Sequence, residues 1–315
     1  MSQLSGTTGG VLPTAAAKRQ PASGRSSSRR KRITPYLFLI APLALLITFT
    51  FLPAANLLWY SVTDWDGVDL EKKFIGFENY IKIFTEPEVF RVFLVSLYYI
   101  GASFIQMALA LYFATILSFS TRFRNLFKGI LFFPYLINGV AIGLVFLYLF
   151  QPDGTLDSLL KLVGLEQLQT AWLGNPDTVN LSLAATSIWR YTGLNFVLFL
   201  GAIQSIPAQL YEAADLDGAS KWQQFRYIIA PGIKRIISLS FILAISGSLA
   251  VFEVPFIMTG GANNSATFVI ETINRAFLFR QVGFASALAV VLLLIVLIVT
   301  FVQRKLVPDD EVNLT

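Results

Sequence analysis

Long apolar segments constrain the fold of this chain more than any other feature of its sequence. A helix rises about 1.5 Å per residue, so about 20 apolar residues cross the roughly 30 Å hydrocarbon core of a bilayer. Six segments are long enough: 36–58, 92–120, 129–150, 181–206, 236–258 and 282–302. The fourth contains Arg190, the fifth contains Glu253, and the others contain no charged residue. We therefore expect an all-α polytopic membrane protein with six transmembrane helices.

The composition excludes most catalytic chemistry. Charged residues make up 14% of the chain, against about 25% in typical soluble proteins. The absence of Cys and His excludes disulfides, thiol chemistry, histidine acid–base catalysis and the commonest transition-metal sites. No G-x-x-x-x-G-K-[ST] phosphate loop is present. We expect no catalytic residue, cofactor or metal, and we interpret Asp64, Asp66, Asp69 and Glu71 as a solvated acidic loop, since they lack EF-hand spacing.

The distribution of basic residues predicts the orientation, because cytoplasmic loops carry an excess of Lys and Arg. Sixteen Lys and Arg lie in the N-terminal tail, the second-to-third and fourth-to-fifth loops and after the last span, and seven lie in the other connecting regions. Both termini are therefore expected in the cytoplasm. The net charge of +5 then reflects membrane topology, and no nucleic-acid partner is expected.

The segments at the two ends are expected to lie in the cytoplasm. Residues 1–32 are rich in Ser, Gly, Ala and Arg and are predicted to be a disordered tail. A transmembrane domain follows over residues 33–305, and residues 306–315 form a short tail. The first apolar run exceeds the 7–15 residues of a cleavable signal peptide, so we expect an uncleaved span.

The polar segment 207–231, between the fourth and fifth spans, predicts a helix–turn–helix on the cytoplasmic side. Pro207 suits a first helical position, and Gly218 supplies a helix stop with positive φ. Ser220-Lys-Trp-Gln223 matches a capping box, and the helix that it starts must end near Pro231.

The surface of this segment permits two interpretations. Small side chains at Ala213, Ala214 and Ala219 allow another surface to approach closely, and Leu210, Trp222 and Phe225 are able to anchor it. From the residues alone, a docking surface and an ordinary amphipathic interfacial hairpin both remain open.

Motifs in and around this segment resemble those of a known family. Glu212-Ala-Ala-Asp-Leu-Asp-Gly218, followed by Ile228-Ile-Ala-Pro231, resembles the EAA loop of ABC importer permeases, with Ala230 where the family usually has Leu. The longer pattern is similar to the maltose- and glycerophosphate-type carbohydrate branch. Phe74-Ile-Gly-Phe-Glu-Asn-Tyr80 and Thr259-Gly-Gly261 with Thr267 resemble two further family elements, although Ala262 replaces a Pro. The likeness covers roughly residues 33–305.

The resemblance implies that the segment is a coupling helix that docks on a separate ATP-hydrolysing subunit. It implies a polar contact by Glu212, a close fit at Ala213 and Ala214, and a bend at Gly218 flanked by Asp217 and Ala219.

The resemblance also implies the assembly and its location. The expected partners are a second homologous permease subunit, two ATP-binding cassette ATPase subunits, an extracellular or periplasmic solute-binding protein and membrane lipid, in a bacterial or archaeal plasma membrane. The expected cargo is a sugar or oligosaccharide. Alternatives are a glycerophosphodiester or polyol importer, a secondary transporter and a membrane-embedded sensor.

Polar groups within the spans are candidates for the substrate path, because they are costly to bury in lipid. Arg190 and Glu253 either pair with each other or contact a sugar directly. Stacking faces and an amide suited to sugars come from Trp189, Tyr191, Asn195 and Phe252.

Overall fold

The structure, a computed structural model, describes residue 36, residues 38–119 and residues 124–306. The predicted tail 1–32, the end of the predicted second span at Ser120 and residues 307–315 lie outside the described residues. The chain divides into two compact units, Met1–Ala54 and Ala55–Thr315, and each is described by itself.

The described part of the first unit is most of helix α1 (Phe38–Tyr60). This helix widens into a π-helical turn at Ile47–Phe51, where the Leu52 N–H donates to the Ile47 carbonyl. Pro53 follows directly, and its missing N–H explains why the regular hydrogen-bond ladder is replaced at this point.

The second unit contains the remaining elements. Its α-helices of four or more residues are α2 (Glu78–Thr85), α3 (Pro87–Ser118), α4 (Arg124–Leu136), α5 (Gly139–Leu149), α6 (Thr155–Leu162), α7 (Val179–Gln204), α8 (Ala208–Leu216), α9 (Lys221–Gln224), α10 (Lys234–Leu249), α11 (Glu253–Thr259), α12 (Phe268–Ile273) and α13 (Val282–Leu306). Strands β1 (Thr63–Asp64) and β2 (Lys73–Phe74) pair antiparallel, with Thr63 opposite Phe74.

Four helical segments of the described chain are long and apolar enough to cross a membrane: α1, α3, α10 together with α11, and α13. Two bent pairs, α4 with α5 and α7 with α8, raise the number to six if each is one span. The all-α membrane fold predicted from the sequence is therefore confirmed, with four to six candidate spans.

The predicted third span, 129–150, is interrupted. Helix α4 ends at Leu136, α5 begins at Gly139, and the two axes differ by 97°. Pro134 lies inside α4 and cannot donate to its ladder. The Asn138 side chain caps α5 by accepting a hydrogen bond of 2.8 Å from the Val140 N–H. Polar backbone groups at the bend therefore find local partners. The apolar run in the sequence does not reveal the bend.

The predicted fifth span, 236–258, is interrupted as well, between Leu249 and Glu253. The carbonyl of Val251, freed by this break, accepts a hydrogen bond of 2.8 Å from the Thr267 hydroxyl. An irregular backbone within an apolar segment is tolerated only where protein groups satisfy it. Thr267, part of the motif noted in the sequence, thus has a structural role.

Helices α3 and α7 form the most extensive helix pair of the described chain. One core cluster joins Ala110 and Ala114 of α3 to Phe196 and Phe199 of α7. Ile229 and Ile233, which follow α9, are buried in the same cluster. The end of the helix–turn–helix is therefore packed into the core that holds the spans together.

The Phe74–Tyr80 motif holds the chain between α1 and α3. The Asn79 Nδ2 donates to the carbonyls of Ser61 and Thr63, each at 3.0 Å. The Tyr80 hydroxyl donates to the Ser61 Oγ at 2.7 Å. These contacts fix α2 against the start of β1.

Helices α4 and α7 approach so closely that Gly193 has no room for a side chain. A Cβ at this position would lie 2.3 Å from the Leu131 carbonyl oxygen, whereas a Cβ at Gly201, on the same helix, would meet nothing within 4 Å.

We expect Gly193→Ala to lower the thermal unfolding midpoint of the purified protein, because overpacking against backbone costs about 1–3 kcal/mol. Gly201→Ala is the matched control and should leave the midpoint unchanged or raised, since Ala favours helix over Gly. Equal midpoints for the two variants would contradict the close approach of α4 and α7.

Candidate functional site

The segment between α7 and α10 folds as the helical hairpin predicted from its capping residues. Helix α8 begins at Ala208, so Pro207 occupies the N-cap rather than the predicted first helical position. Gly218 has a φ of +73°. At Ser220 both capping-box bonds are formed: the side chain accepts from the Gln223 N–H, and the Gln223 side chain accepts from the Ser220 N–H.

The second half of the hairpin continues beyond α9. A π-helical turn covers Phe225–Ile229, a short helix covers Ala230–Gly232, and α10 begins at Lys234 after a break at Ile233. Pro231, near which the second helix of the helix–turn–helix was predicted to end, lies inside that short helix. The segment from 207 to 232 is called the hairpin below.

A polar cluster fixes the two helices of the hairpin to each other. The Gln224 side chain is fully buried and donates through Nε2 to Asp215 Oδ1. The Lys221 Nζ lies 3.2 Å from Asp215 Oδ1 and 3.1 Å from Gln224 Oε1. Asp215, Lys221 and Gln224 were not predicted as site residues. The sequence signal that could have predicted this cluster is Gln224, a polar residue one helical turn after the capping Ser220.

The residues predicted to couple the chain to a partner lie at the exposed tip of the hairpin. Glu212, Ala213, Asp217 and Gly218 are exposed, and Ala214 and Ala219 are half-buried. Within the described part of the chain, the Glu212 side chain has no hydrogen-bond or ion-pair partner. The Leu216 side chain between them is 90% exposed. The tip therefore presents a carboxylate, a large apolar side chain and small residues on one free surface.

Arg190 and Glu253, the two charged residues of the spans, form an ion pair. The Arg190 Nη1 lies 3.2 Å from Glu253 Oε2, and the side chains are 12% and 43% exposed. A Cβ at Gly139 would overlap the Glu253 carboxylate. The ion pair thus joins α7 to the first residue of α11, next to the first residue of α5. The N-termini of α5 and α11 both favour a negative charge such as the Glu253 carboxylate. Gly139 was not predicted.

The other predicted path residues separate into two groups. Tyr191 and Asn195 line a cavity of ≈ 160 Å³ between α3, α7 and α10, called the central cavity. Trp189 and Phe252 lie outside this cavity and pack on Phe146 and Phe256, with ring centroids 5.1 Å and 4.9 Å apart.

Besides the predicted Asn195, the central cavity has buried polar groups that were not predicted from the sequence, because the predicted candidates were two charged residues, three aromatic residues and one amide. Its buried polar lining residues are Tyr99, Ser103, Gln106, Ser187, Asn195, Ser240 and Ser248. The Tyr99 hydroxyl and the Ser240 hydroxyl have no partner among the described residues. The Arg190 guanidinium lies 5.3 Å from the Tyr191 ring centroid, which places the ion pair beside the cavity.

The acidic loop between β1 and β2 has a local structural role. The Asp66 Oδ1 accepts hydrogen bonds from the Asp69 and Val68 N–H groups at 2.8 Å and 2.9 Å. These bonds lower the pKa of the Asp66 carboxyl below its ordinary value. No group of three or more acidic side chains suited to a metal ion occurs in the described ranges.

The sequence and the fold of this chain are similar to those of known proteins. Residues 106–309, more than half of the chain, match the family described as binding-protein-dependent transport system inner membrane component. The probable ABC transporter permease protein YurN of Bacillus subtilis (strain 168) is 35% identical over 282 residues, 88% of this chain and 96% of that protein. The multiple sugar-binding transport system permease protein MsmF of Streptococcus mutans is 30% identical over 280 residues, 88% and 96% of the two chains.

A solved structure shares the fold. A chain of a bacterial alginate ABC transporter, crystallised in complex with an alginate pentasaccharide-bound periplasmic protein, superposes with a TM-score of 0.78 at 20% identity. The match covers 90% of this chain and 97% of that chain.

We expect Glu253→Gln to destabilise the protein more than Arg190→Gln does. The first change leaves the more buried charge without a partner, at a cost of up to about 3 kcal/mol, whereas the second leaves a half-exposed carboxylate. Thermal unfolding midpoints of the purified variants measure the difference.

The exchange Arg190→Glu with Glu253→Arg is the control for a structural pair, and it should recover part of the lost stability. The pairing would be contradicted if Arg190→Gln lowered the unfolding midpoint more than Glu253→Gln does, or if the exchange variant were no more stable than the single variants. Transport then distinguishes the two roles. The exchange variant should restore uptake if the pair is structural, and it should not if either residue contacts the sugar directly.

Proposed function

Since this chain belongs to the family of binding-protein-dependent transport system inner membrane components and is a transmembrane permease subunit of an ABC importer, we propose that it carries a sugar or oligosaccharide and is driven by ATP hydrolysis on a separate subunit. The observation that carries this proposal is the hairpin, which is exposed at its tip and packed into the core of the spans at its other end.

The distribution of basic residues supports a proposal for the orientation of the chain. The hairpin contains Lys221 and Arg226, and Lys234 and Arg235 follow it. In the six-span topology predicted from the sequence, sixteen basic residues fall on the hairpin's side of the membrane and seven on the other, and such an excess is typical of the cytoplasmic side. Both termini and the hairpin are thus proposed to lie in the cytoplasm, where ATP is available.

The hairpin is suited to transmit force. Its tip offers Glu212 and Leu216 to a groove on the ATPase, and its helices are held in a fixed relation by buried Gln224. Ile229 and Ile233 pack against α3 and α7. A displacement of the tip therefore moves the core of the spans as a packed body, as in rigid-body switching.

The proposed assembly contains a second permease of the same fold, two ATPase subunits and an external solute-binding protein. The family description and the alginate transporter, whose structure includes a periplasmic protein, support the binding-protein partner. One copy of this chain has a central cavity of only ≈ 160 Å³, below the roughly 300–1,000 Å³ of ligand pockets, so a pathway wide enough for an oligosaccharide needs a second subunit.

Two observations support a carbohydrate as cargo. Relatives include a permease of a multiple sugar-binding transport system. The central cavity contains serine hydroxyls, Gln106 and Asn195 amides and the Tyr191 ring. Hydroxyls and amides exchange hydrogen bonds with sugar hydroxyls, and aromatic rings pack on their apolar faces.

We expect Glu212→Ala to abolish solute-stimulated ATP hydrolysis by the reconstituted complex while the chain remains in the membrane. The substitution removes the exposed carboxylate at the docking tip but no contact within the described chain. A loss of at least about tenfold is expected, equivalent to roughly 1.4 kcal/mol of docking or coupling free energy. Hydrolysis is measured with sugars of increasing length and with a polyol and a glycerophosphodiester.

The matched control is Gln209→Ala, which alters another exposed polar residue on α8 and should leave stimulation near the wild-type value. Stimulation that persists in Glu212→Ala would contradict the docking role. Stimulation of the wild-type complex by the polyol or the glycerophosphodiester, but by none of the sugars, would contradict the carbohydrate assignment and leave the docking role standing.

A further inference from the structure

A polar cavity of ≈ 520 Å³, called the hairpin cavity, lies between the hairpin and the ends of α3, α4 and α7. Its volume falls within the roughly 300–1,000 Å³ of small-molecule sites. It is separate from the exposed tip and from the central cavity. The charged and polar side chains that line it are Ser118, Arg124, Lys128, Gln204, Tyr211, Asp215, Lys221 and Gln224.

The charges of the hairpin cavity favour an anion. Three basic side chains line it, against one carboxylate, Asp215. Asp215 is paired with Lys221. Arg124 and Lys128, one turn apart on α4, remain as an uncompensated pair of cations within this lining.

Two polar atoms at the cavity are buried and have no partner among the described residues: the Arg124 Nε and the Tyr211 hydroxyl oxygen. Arg124 is able only to donate, and the Tyr211 hydroxyl is able to donate as well. Buried donors in native proteins are nearly always hydrogen-bonded. Among the described residues these two donors therefore lack an acceptor, and an anionic oxygen beside α4 would supply one.

An apolar groove of ≈ 650 Å³ adjoins the hairpin cavity and shares Phe119 and Lys221 with it. The groove runs along α3 past Leu111 and Ile116 and ends on Trp222 and Phe225, whose rings stack with centroids 5.3 Å apart. The Lys221 Nζ lies 4.9 Å from the Phe119 ring centroid, at the boundary between the two spaces. Trp222 remains 65% exposed.

We propose that the hairpin cavity and the apolar groove together bind one anionic phospholipid. Its phosphate lies in the cavity against Arg124, Lys128 and Tyr211, and an acyl chain lies in the groove against Trp222 and Phe225. A free phosphate would satisfy the cavity but leave the groove empty, whereas a neutral lipid would fill the groove but leave the cations uncompensated. Basic pockets between spans on the cytoplasmic side are a recognised way of holding acidic headgroups.

Such a lipid would bridge α4 and the hairpin through its phosphate. Its influence on coupling rests on the proposed function of the hairpin, but its binding does not. A binding measurement therefore remains decisive even if the docking proposal fails.

The test is native mass spectrometry of the purified, delipidated transporter complex, incubated with equal amounts of phosphatidylglycerol and phosphatidylcholine of the same acyl chains. We expect the wild type to retain phosphatidylglycerol preferentially. Arg124→Gln with Lys128→Gln should weaken this retention about tenfold, since each basic residue near anionic lipid contributes measurably to binding. Arg226→Gln with Lys234→Gln, which removes two exposed cations outside the cavity, is the matched control.

Two further variants keep the test decisive if the double α4 variant does not fold. Tyr211→Phe removes only the unpartnered hydroxyl, and Trp222→Ala shortens the groove. Both should weaken phosphatidylglycerol retention, with an unchanged size-exclusion profile.

Three results would overturn the proposal. The first is equal retention of the two lipids by the wild type. The second is equal loss of retention in the α4 and control variants. The third is protection against heat by inorganic phosphate that matches protection by phosphatidylglycerol, because it would assign the cavity to a soluble anion.

Discussion

The hydrocarbon interior of a bilayer offers no hydrogen-bond partner to a backbone group, and this constraint shapes the whole structure. Unbroken helices satisfy it directly. The informative places are the interruptions, because each must be satisfied from within the protein. Asn138 caps the restart of α5, and the Thr267 hydroxyl binds the Val251 carbonyl freed before α11.

Two of these interruptions meet at one point. Glu253 begins α11 after one break and Gly139 begins α5 after another, and the missing side chain of Gly139 leaves space for the Glu253 carboxylate. Arg190 of the unbroken helix α7 pairs with that carboxylate. The ion pair therefore closes a junction of three helices beside the central cavity, where relative movement of the helices would alter the space available to a solute.

The sequence predicted most of the hairpin because its elements are set by local chemistry. The Ser220–Gln223 capping box and the positive φ at Gly218 each depend on a few adjacent residues. The bend after Pro134 was missed because an apolar run looks the same whether the helix is continuous or interrupted. The Gln224–Asp215 contact and the role of Gly139 join residues distant in sequence, and no local pattern encodes such pairings. The sequence left open whether Arg190 and Glu253 pair with each other or contact a sugar, and only the fold brings their side chains within 3.2 Å of each other as an ion pair.

The most direct test of the central claim, that the hairpin is the joint to the ATPase, uses the natural absence of cysteine in this chain. A single Leu216→Cys substitution places one thiol at the exposed tip. Treatment of membranes that contain the assembled complex with a short reagent that reacts with a thiol at one end and a lysine amine at the other should link this chain to its ATPase subunit, with a yield that changes when ATP is added. Labelling of the same thiol by a membrane-impermeant reagent from outside the cell, with no adduct to the ATPase, would contradict the account.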